Sequence, residues 1–219
     1  MTALVAPPTP LPLSQLLREG SQAQHREAEG SPFATALAAG QVRQAAYTAY
    51  LRRLHVVYVA LETVGAASAA DPLVGAVLDP GLERRAALEA DLDHWAGPQW
   101  RATDVRSAAA RTYADRITSH GLRWGGAFVA HHYTRYLGDL SGGRVVGRML
   151  SRVHDLEGGA GLAFYGFPAV PKPKVYKDGY RARLDAMALD VGAREAMLDE
   201  VKVAFTLNQA LFEEVDALS

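Results

Sequence analysis

Apolar residues recur every three or four positions along most of this chain, and almost no stretch shows the apolar–polar alternation of a strand. In the clearest repeat, the recurring positions are Tyr47, Tyr50, Leu51, Leu54, Tyr58, Leu61 and Val64. In a second repeat near the end, they are Val201, Ala204, Phe205, Asn208, Leu211, Phe212 and Val215. Both repeats predict helices with one buried face. Asn208 is polar on such a face and needs a partner, so we infer a buried hydrogen-bond network between helices, with structural specificity as its plainest purpose.

Weaker repeats predict five more helices, which turn-forming residues separate. Their expected ranges are Ser14–Glu29, Pro80–Trp95, Thr103–His120, Leu122–Val153 and Lys172–Leu189. No repeat, low-complexity run or long linker divides the chain. The sequence therefore predicts an all-α fold, a single-domain helical bundle of about seven to eight helices over residues 13–219. Residues 1–12, rich in proline, are interpreted as a flexible lead-in.

Composition narrows the classes of function. The net charge is −1, which offers no electrostatic attraction for nucleic acid or an anionic membrane. There is no cysteine, so disulfides, thiolate catalysis and zinc–thiolate or iron–sulfur sites are excluded, and a reducing cytoplasm suits the chain. Neither a signal-peptide pattern nor an apolar run of about 20 residues is present. We expect a soluble cytoplasmic protein without a membrane anchor, monomeric by default.

Three glycines cluster inside the predicted helix Leu122–Val153, at Gly138, Gly142 and Gly143, and Asp139 lies among them. Each glycine costs roughly 1 kcal/mol of helix stability relative to alanine, so the three cost about 3 kcal/mol. A helix that bends and lies flat against a ligand would compensate, because glycine lets another group approach the backbone closely. Close packing of two helices over Gly138 and Gly142 is the alternative, but it leaves Gly143 and Asp139 unexplained.

Histidine is the residue most able to hold a metal here. His25 lies on a partly apolar helix face, and Glu29, one turn later, could receive its second ring N–H; a surface histidine is the alternative. The segment Asp91-Leu-Asp-His94 resembles half of a di-iron motif, but no second copy exists, so its histidine is interpreted as structural. His131 and His132 are expected to pack or to meet solvent.

Basic residues occur in two groups. Arg18 precedes His25, and the second group consists of Lys172, Lys174, Lys177, Arg181 and Arg183. A solvated charged face is the usual meaning of such a group. A planar apolar ligand with carboxylates would also need an apolar slot with a basic rim. Heme, with two propionates and a single histidine as proximal ligand, fits that description.

Five segments together resemble the heme oxygenase family over nearly the whole chain, from before Arg18 to about Val215. They are Gln24–Glu29, His55–Glu62, Ala86–Leu92, Tyr133–Gly143 and Leu162–Pro168. The fourth, Tyr-Thr-Arg-Tyr-Leu-Gly-Asp-Leu-Ser-Gly-Gly, is highly specific to that family. The resemblance implies a heme held between a proximal helix and a kinked distal helix.

The resemblance also implies roles for single residues. His25 would be the proximal ligand of the heme iron, with Glu29 as its hydrogen-bond partner. The distal glycines, whose backbone would cover the other heme face, are Gly138, Gly142 and Gly143. The residues that would order water beside that face are Asp139, Tyr58, Arg135 and Asn208.

Further residues match family positions around the pocket. Those that would meet the propionates are Arg18, Tyr133, Lys177 and Arg181. Phe205 and Phe212 match pocket aromatics. Gln22 departs from the pattern, because several family members have a lysine there near the propionates; a looser hold on heme is expected.

The implied reaction opens heme at one meso carbon, usually the α carbon, and yields biliverdin, carbon monoxide and ferrous iron. Heme b would be cofactor and substrate, with O2 as oxidant and electrons from a ferredoxin or from NADPH through a reductase. A biliverdin acceptor would be a further partner. Two alternatives stay open. One is a heme-binding or storage protein without turnover, and the other is a helical enzyme such as a thiamine-degrading one, which needs a nucleophilic cysteine or a di-metal site.

Overall fold

Eleven α-helices build residues 11–218, the part of the chain that the computed structural model describes, and no β-strand occurs within it. The helices are α1 (Leu13–Gly20), α2 (Gln22–Glu29), α3 (Pro32–Ala38), α4 (Gln44–Ala67), α5 (Pro72–Val77), α6 (Arg85–Ala96), α7 (Ala108–Gly121), α8 (Gly125–Gly138), α9 (Arg144–Val153), α10 (Pro173–Asp185) and α11 (Val191–Asp216). A π-helical turn, Asp139–Gly143, joins α8 to α9. The all-α prediction is confirmed, whereas the predicted lead-in lies mostly outside the described residues.

Several helices begin or end at residues that stabilise a helix terminus. The side chains of Asp71, Ser107 and Asp190 accept hydrogen bonds from backbone amides two or three residues later, at the starts of α5, α7 and α11. Gly97 adopts φ 71°, a conformation that an L side chain disfavours, and α6 ends there.

The long helices α4 and α11 carry the two apolar repeats and form the centre of the molecule. Tyr47, Tyr58 and Leu61 of α4 are buried, as are Val201 and Leu211 of α11. Helix α4 packs against α6, α7 and α8, whereas α11 packs against α2, α7 and α8. Because α2 and α8 both rest on α11, that helix sets the spacing between them, and the candidate site lies there.

The prediction of seven to eight helices was too low, because two predicted helices are divided and two short helices were not predicted. Ser14–Glu29 breaks at Ser21, whose buried hydroxyl donates to the carbonyl of Leu17 at 2.7 Å, a local bond that competes with helix continuation. Leu122–Val153 breaks at the π-helical turn. Helices α3 and α5, with 7 and 6 residues, are too short to show a repeat.

Within residues 11–218, no helix has both the length and the apolar character that crossing a bilayer requires.

Candidate functional site

A cleft of about 790 Å³ opens between α2 on one side and the end of α8 with the π-helical turn on the other. Its lining residues are Arg18, Glu19, Ser21, Gln22, His25, Glu29, Tyr133, Thr134, Leu137, Gly138, Ser141, Gly142, Arg181 and Phe205. The cleft has the size that sites for small organic ligands usually have. It brings together eight of the fifteen residues that the sequence predicted for the site.

His25 supplies a metal-binding group on the α2 side. Its side chain is 49% exposed, and its Nδ1 lies 3.3 Å from Oε2 of Glu29, one helical turn later. The ring of Phe205 meets the imidazole edge-on, with centroids 5.4 Å apart. Because Nδ1 faces the carboxylate, Nε2 is the nitrogen left for a ligand in the cleft.

The glycines of the opposite wall divide into two pairs with different neighbours. A Cβ added to Gly138 or Gly142 would meet nothing within 4 Å, so these two keep the cleft free of side chains. A Cβ on Gly143 would lie 3.2 Å from the Tyr165 ring, and one on Gly147 only 2.8 Å from the Tyr165 Cβ. The close packing considered for Gly138 and Gly142 therefore occurs instead at Gly143 and Gly147.

Four predicted residues form a polar cluster behind the glycine wall rather than in the cleft lining. The Tyr58 hydroxyl donates to the Asp139 carboxylate, and Arg135 Nη2 lies 3.4 Å from Oδ1 of the same group. Arg135 also donates from Nε to the Tyr58 oxygen at 3.2 Å and from Nη1 to the Asn208 carbonyl. Asp139 thus has direct protein partners, and Asn208 has the partner that its place on an apolar face requires.

Burial dominates the electrostatics of this cluster. It raises the pKa of Asp139, and the charge of Arg135 and the hydrogen bond from Tyr58 oppose that rise. It also raises the pKa of Tyr58 well above its usual value, so the hydroxyl keeps its proton and remains a donor. The result is a fixed array of donors around one buried carboxylate.

Three residues at the mouth of the cleft can meet an anionic ligand. Among the described residues, Arg18 and Arg181 form ion pairs with carboxylates of their own helices alone, Glu19 at 3.2 Å and Asp178 at 3.0 Å. Such exposed pairs are weak, so both guanidinium groups can turn to another carboxylate. Burial raises the pKa of Tyr133, and the charges of Arg181 and Arg18 oppose it, in keeping with the shared position of these residues.

Lys177 and Phe212 also lie outside the cleft lining. Lys177 lies beside it and donates from Nζ to the Ser141 hydroxyl at 2.9 Å, which ties α10 to the π-helical turn. Burial and the charge of Arg181 lower the pKa of Lys177. Phe212 packs in the core instead, with ring centroids 5.9 Å from Phe33 and 5.6 Å from Tyr50.

Sequence reasoning missed several residues at the site. Thr134, Leu137 and Ser141 line the cleft, and they follow one another at intervals of three and four residues, which places them near one helix face. That spacing was a usable signal. Tyr165, which presses on the far side of the glycine segment, gave none, because no local pattern links it to a helix 20 residues away.

His131 and His132, which were predicted to pack or to meet solvent, pack in the core. His131 and His132 are buried and bind Glu200 and the Tyr180 hydroxyl, each at 2.9 Å. Asp91, the carboxylate that precedes His94, instead accepts hydrogen bonds from the backbone of residues 163 and 164 at 2.7 and 2.8 Å. Among residues 11–218, no three His, Asp or Glu side chains gather in a way that could hold a metal ion.

Comparison with known proteins gives one consistent result. The family model described as Heme oxygenase matches residues 11–214. Human heme oxygenase 1 is 36% identical over 211 residues, which cover 95% of this chain and 73% of the human protein. Heme oxygenase 1 of Synechocystis sp. PCC 6803 is 34% identical over 204 residues, 93% of this chain and 85% of that protein.

Solved structures agree with the sequence comparison. Heme oxygenase-2 of Synechocystis sp. PCC 6803, in complex with heme and NO, has a TM-score of 0.91 at 30% identity and covers 95% of this chain and 86% of its own. Heme oxygenase-1 of the same organism, in complex with heme, has a TM-score of 0.89 at 33% identity, with 95% and 94% covered.

Proposed function

The chain belongs to the heme oxygenase family, and from that premise we propose that it binds heme in the cleft and cleaves it to biliverdin, carbon monoxide and ferrous iron. One observation carries the proposal. His25 faces, across a single cleft, two positions without side chains, Gly138 and Gly142. A flat ligand that needs an imidazole on one face and close backbone approach on the other fits this arrangement.

His25 is the proposed proximal ligand, and its Nε2 would bind the iron. The Glu29 carboxylate, 3.3 Å from Nδ1, would hold the proton on that nitrogen and orient the ring. Phe205 restricts the imidazole from the side. A neutral histidine gives less electron donation to iron than a thiolate would, which suits oxidation of the porphyrin rather than O–O cleavage.

Bound heme supplies the iron that activates O2, and its porphyrin is the substrate. Gly138 and Gly142 would leave room for O2 in the cleft, and their backbone would limit that room from one direction. Asp139 lies behind them, held by Tyr58 and Arg135, so we assign it to placing water and protons and not to contact with iron. The one-sided limit supports a single product isomer, and we propose the α isomer.

The mouth of the cleft is the proposed propionate site. Arg18, Arg181 and Tyr133 line it, and Lys177 lies beside it on Ser141. Arginine binds carboxylates through two parallel N–H groups, which fixes orientation as well as affinity. A fixed orientation of heme would decide which meso carbon lies in the direction of the bound oxygen.

Electrons must come from a partner, for which we propose a ferredoxin or an NADPH-dependent reductase. Exposed cations suit an acidic partner, such as Arg18 in the cleft lining and Lys174 on α10, with side chains 67% and 93% exposed. A cytoplasmic location is part of the same proposal and rests on the absence of cysteine.

Spectroscopy of the purified protein tests the proposal. Heme is titrated until the Soret band saturates, and a reductase with NADPH is then added in air. We expect one heme per chain and loss of the Soret band as biliverdin absorption appears, with one isomer on chromatography. A saturable Soret band that survives reduction would instead support a storage protein, and no saturable binding would exclude both functions.

A further inference from the structure

A second buried polar cluster lies where α7, α8 and α11 meet. Arg116 donates to Glu200 twice, from Nε to Oε1 at 2.9 Å and from Nη2 to Oε2 at 2.5 Å, and His131 Nε2 lies 2.9 Å from Oε1. Burial alone would raise the pKa of Glu200, but the hydrogen bonds from Arg116 and His131 outweigh it and lower the pKa to about 2. Glu200 is therefore a carboxylate and can only accept hydrogen bonds.

The charge of Glu200 decides the tautomer of His131. Burial lowers the pKa of His131, so the ring is neutral and carries one proton. Since Glu200 accepts only, that proton is on Nε2, and Nδ1 is a bare lone pair. Nδ1 is fully buried and has no hydrogen-bond partner among the described residues.

Tyr113, next to His131, also has a polar group without a hydrogen-bond partner among the described residues. Its hydroxyl is also fully buried without a partner in the described part of the chain. The rings of Tyr113 and His131 have centroids 5.5 Å apart and are tilted by 51°. Burial raises the pKa of Tyr113, and the charges of Arg135 and Asp139 behind the glycine wall act on it together with that of Glu200. Buried polar groups rarely stay unpaired, and an internal water usually serves them.

We propose that one internal water bridges His131 Nδ1 and the Tyr113 hydroxyl, and that His131 and Glu200 are positioning residues for the distal cluster. The water donates to Nδ1 and accepts from the Tyr113 O–H. The lone pairs of the Tyr113 oxygen then point away from His131, an orientation that the positive charge of Arg135 favours. No proton is transferred in this arrangement. The effect on catalysis rests on the proposed heme cleavage, whereas the presence of the bridging water does not depend on it.

Two substitutions of His131 separate its two nitrogens. In His131→Asn the side-chain amide occupies the place of Nδ1, and in His131→Gln it occupies that of Nε2. We expect His131→Gln to keep the bond to Glu200 but lower the rate of biliverdin formation about three- to tenfold, the range of one net hydrogen bond, with unchanged heme affinity. His131→Asn should keep most of the native rate of biliverdin formation. His132→Gln is the matched control, because His132 is equally buried but its Nδ1 already binds Tyr180.

Tyr113→Phe provides the second line of evidence. If the two residues share one water, Tyr113→Phe should add no further loss of rate in the His131→Gln background. A high-resolution crystal structure should show a water within hydrogen-bond distance of both atoms. Additive losses, or a structure without that water, would overturn the proposal. If the native protein forms no biliverdin, the heme-cleavage proposal fails, yet the crystal structure and a double-mutant cycle of unfolding free energies still decide on the water.

Discussion

Three histidines show how surroundings decide the role of a side chain. His25 is half-exposed in the cleft, with one nitrogen directed at a carboxylate. His131 and His132 are buried, and burial lowers the pKa of both. Each of the buried rings has a protein partner that holds it in the core. Of these three histidines, only His25 therefore combines access to the cleft with an available nitrogen.

His25→Ala should abolish normal turnover. Loss of even a supporting hydrogen bond can weaken a metal site by roughly 10–100-fold, and removal of the ligand itself should cost at least as much in biliverdin formation. The measurement is the initial rate with a reductase and NADPH, and added imidazole should restore part of it by occupying the vacated space. His94→Ala, an exposed histidine outside the cleft lining, is the control. A native rate for His25→Ala would remove His25 from its assigned role.

Residue-level prediction succeeded where one element carries the information. His25 and Glu29, four residues apart on one helix, were predicted to pair, and their side chains lie 3.3 Å apart. Asn208 was predicted to need a buried partner and binds Arg135. The contact of Lys177 with Ser141 spans two elements and depends on how they dock, which no local pattern encodes. Roles toward heme stay predictions.

At the scale of elements, the glycine segment does two separate tasks. Gly138 and Gly142 border the cleft, and Gly143 and Gly147 allow the Tyr165 ring to approach. The sequence indicated that the helix needed glycine at this point. The sequence did not indicate which glycines border the cleft and which ones contact Tyr165. A regular repeat is needed to assign residues to the faces of a helix, and the π-helical turn breaks that repeat.

Alanine substitutions should separate these tasks. Gly147→Ala places a Cβ 2.8 Å from the Tyr165 Cβ, so we expect a loss of about 1–3 kcal/mol in the free energy of unfolding. Gly142→Ala meets nothing within 4 Å and should be neutral or stabilising by up to about 1 kcal/mol, yet weaken heme binding. Urea denaturation and heme titration of both variants give the comparison. Equal destabilisation by the two would contradict the division.

At the scale of the whole molecule, α11 connects the two sides of the cleft. It supports α2 and α8 and contributes Phe205 beside His25 and Asn208 beside Arg135. The apolar repeat predicted this helix and its buried face. Its neighbours could not be predicted, since several helices with similar apolar stripes can pack in more than one order.

Acid stability should reflect the buried His132. Burial, reinforced by the charge of Arg183, lowers its pKa to about 3. Below about pH 6.5 an unfolded chain protonates this ring, while the folded protein does not until about pH 3. As the pH is lowered across this window, the free energy of unfolding should therefore decrease by about 1.4 kcal/mol per pH unit because of this group.

His132→Phe keeps a ring beside Phe128 and Tyr136 and removes the titrating group. We expect the variant to be less stable near pH 7, because the Tyr180 hydroxyl loses its partner. Between about pH 6 and 4, its free energy of unfolding should also change less steeply with pH, by about the 1.4 kcal/mol per pH unit that one proton contributes. Unfolding free energies measured at several pH values provide the slopes, and identical slopes would refute the assignment.

The π-helical turn Asp139–Gly143 also makes the length of this segment important. Such a turn holds about one residue more than an α-helix of equal rise, and each residue rotates a helix by about 100°. Deleting one residue there would restore an α-helix and rotate α9 relative to α8. Gly143 and Gly147 would then leave Tyr165, while Gly138 kept its place at the cleft. The fold around this segment is therefore expected to be more sensitive to a change in its number of residues than to a single change of side chain.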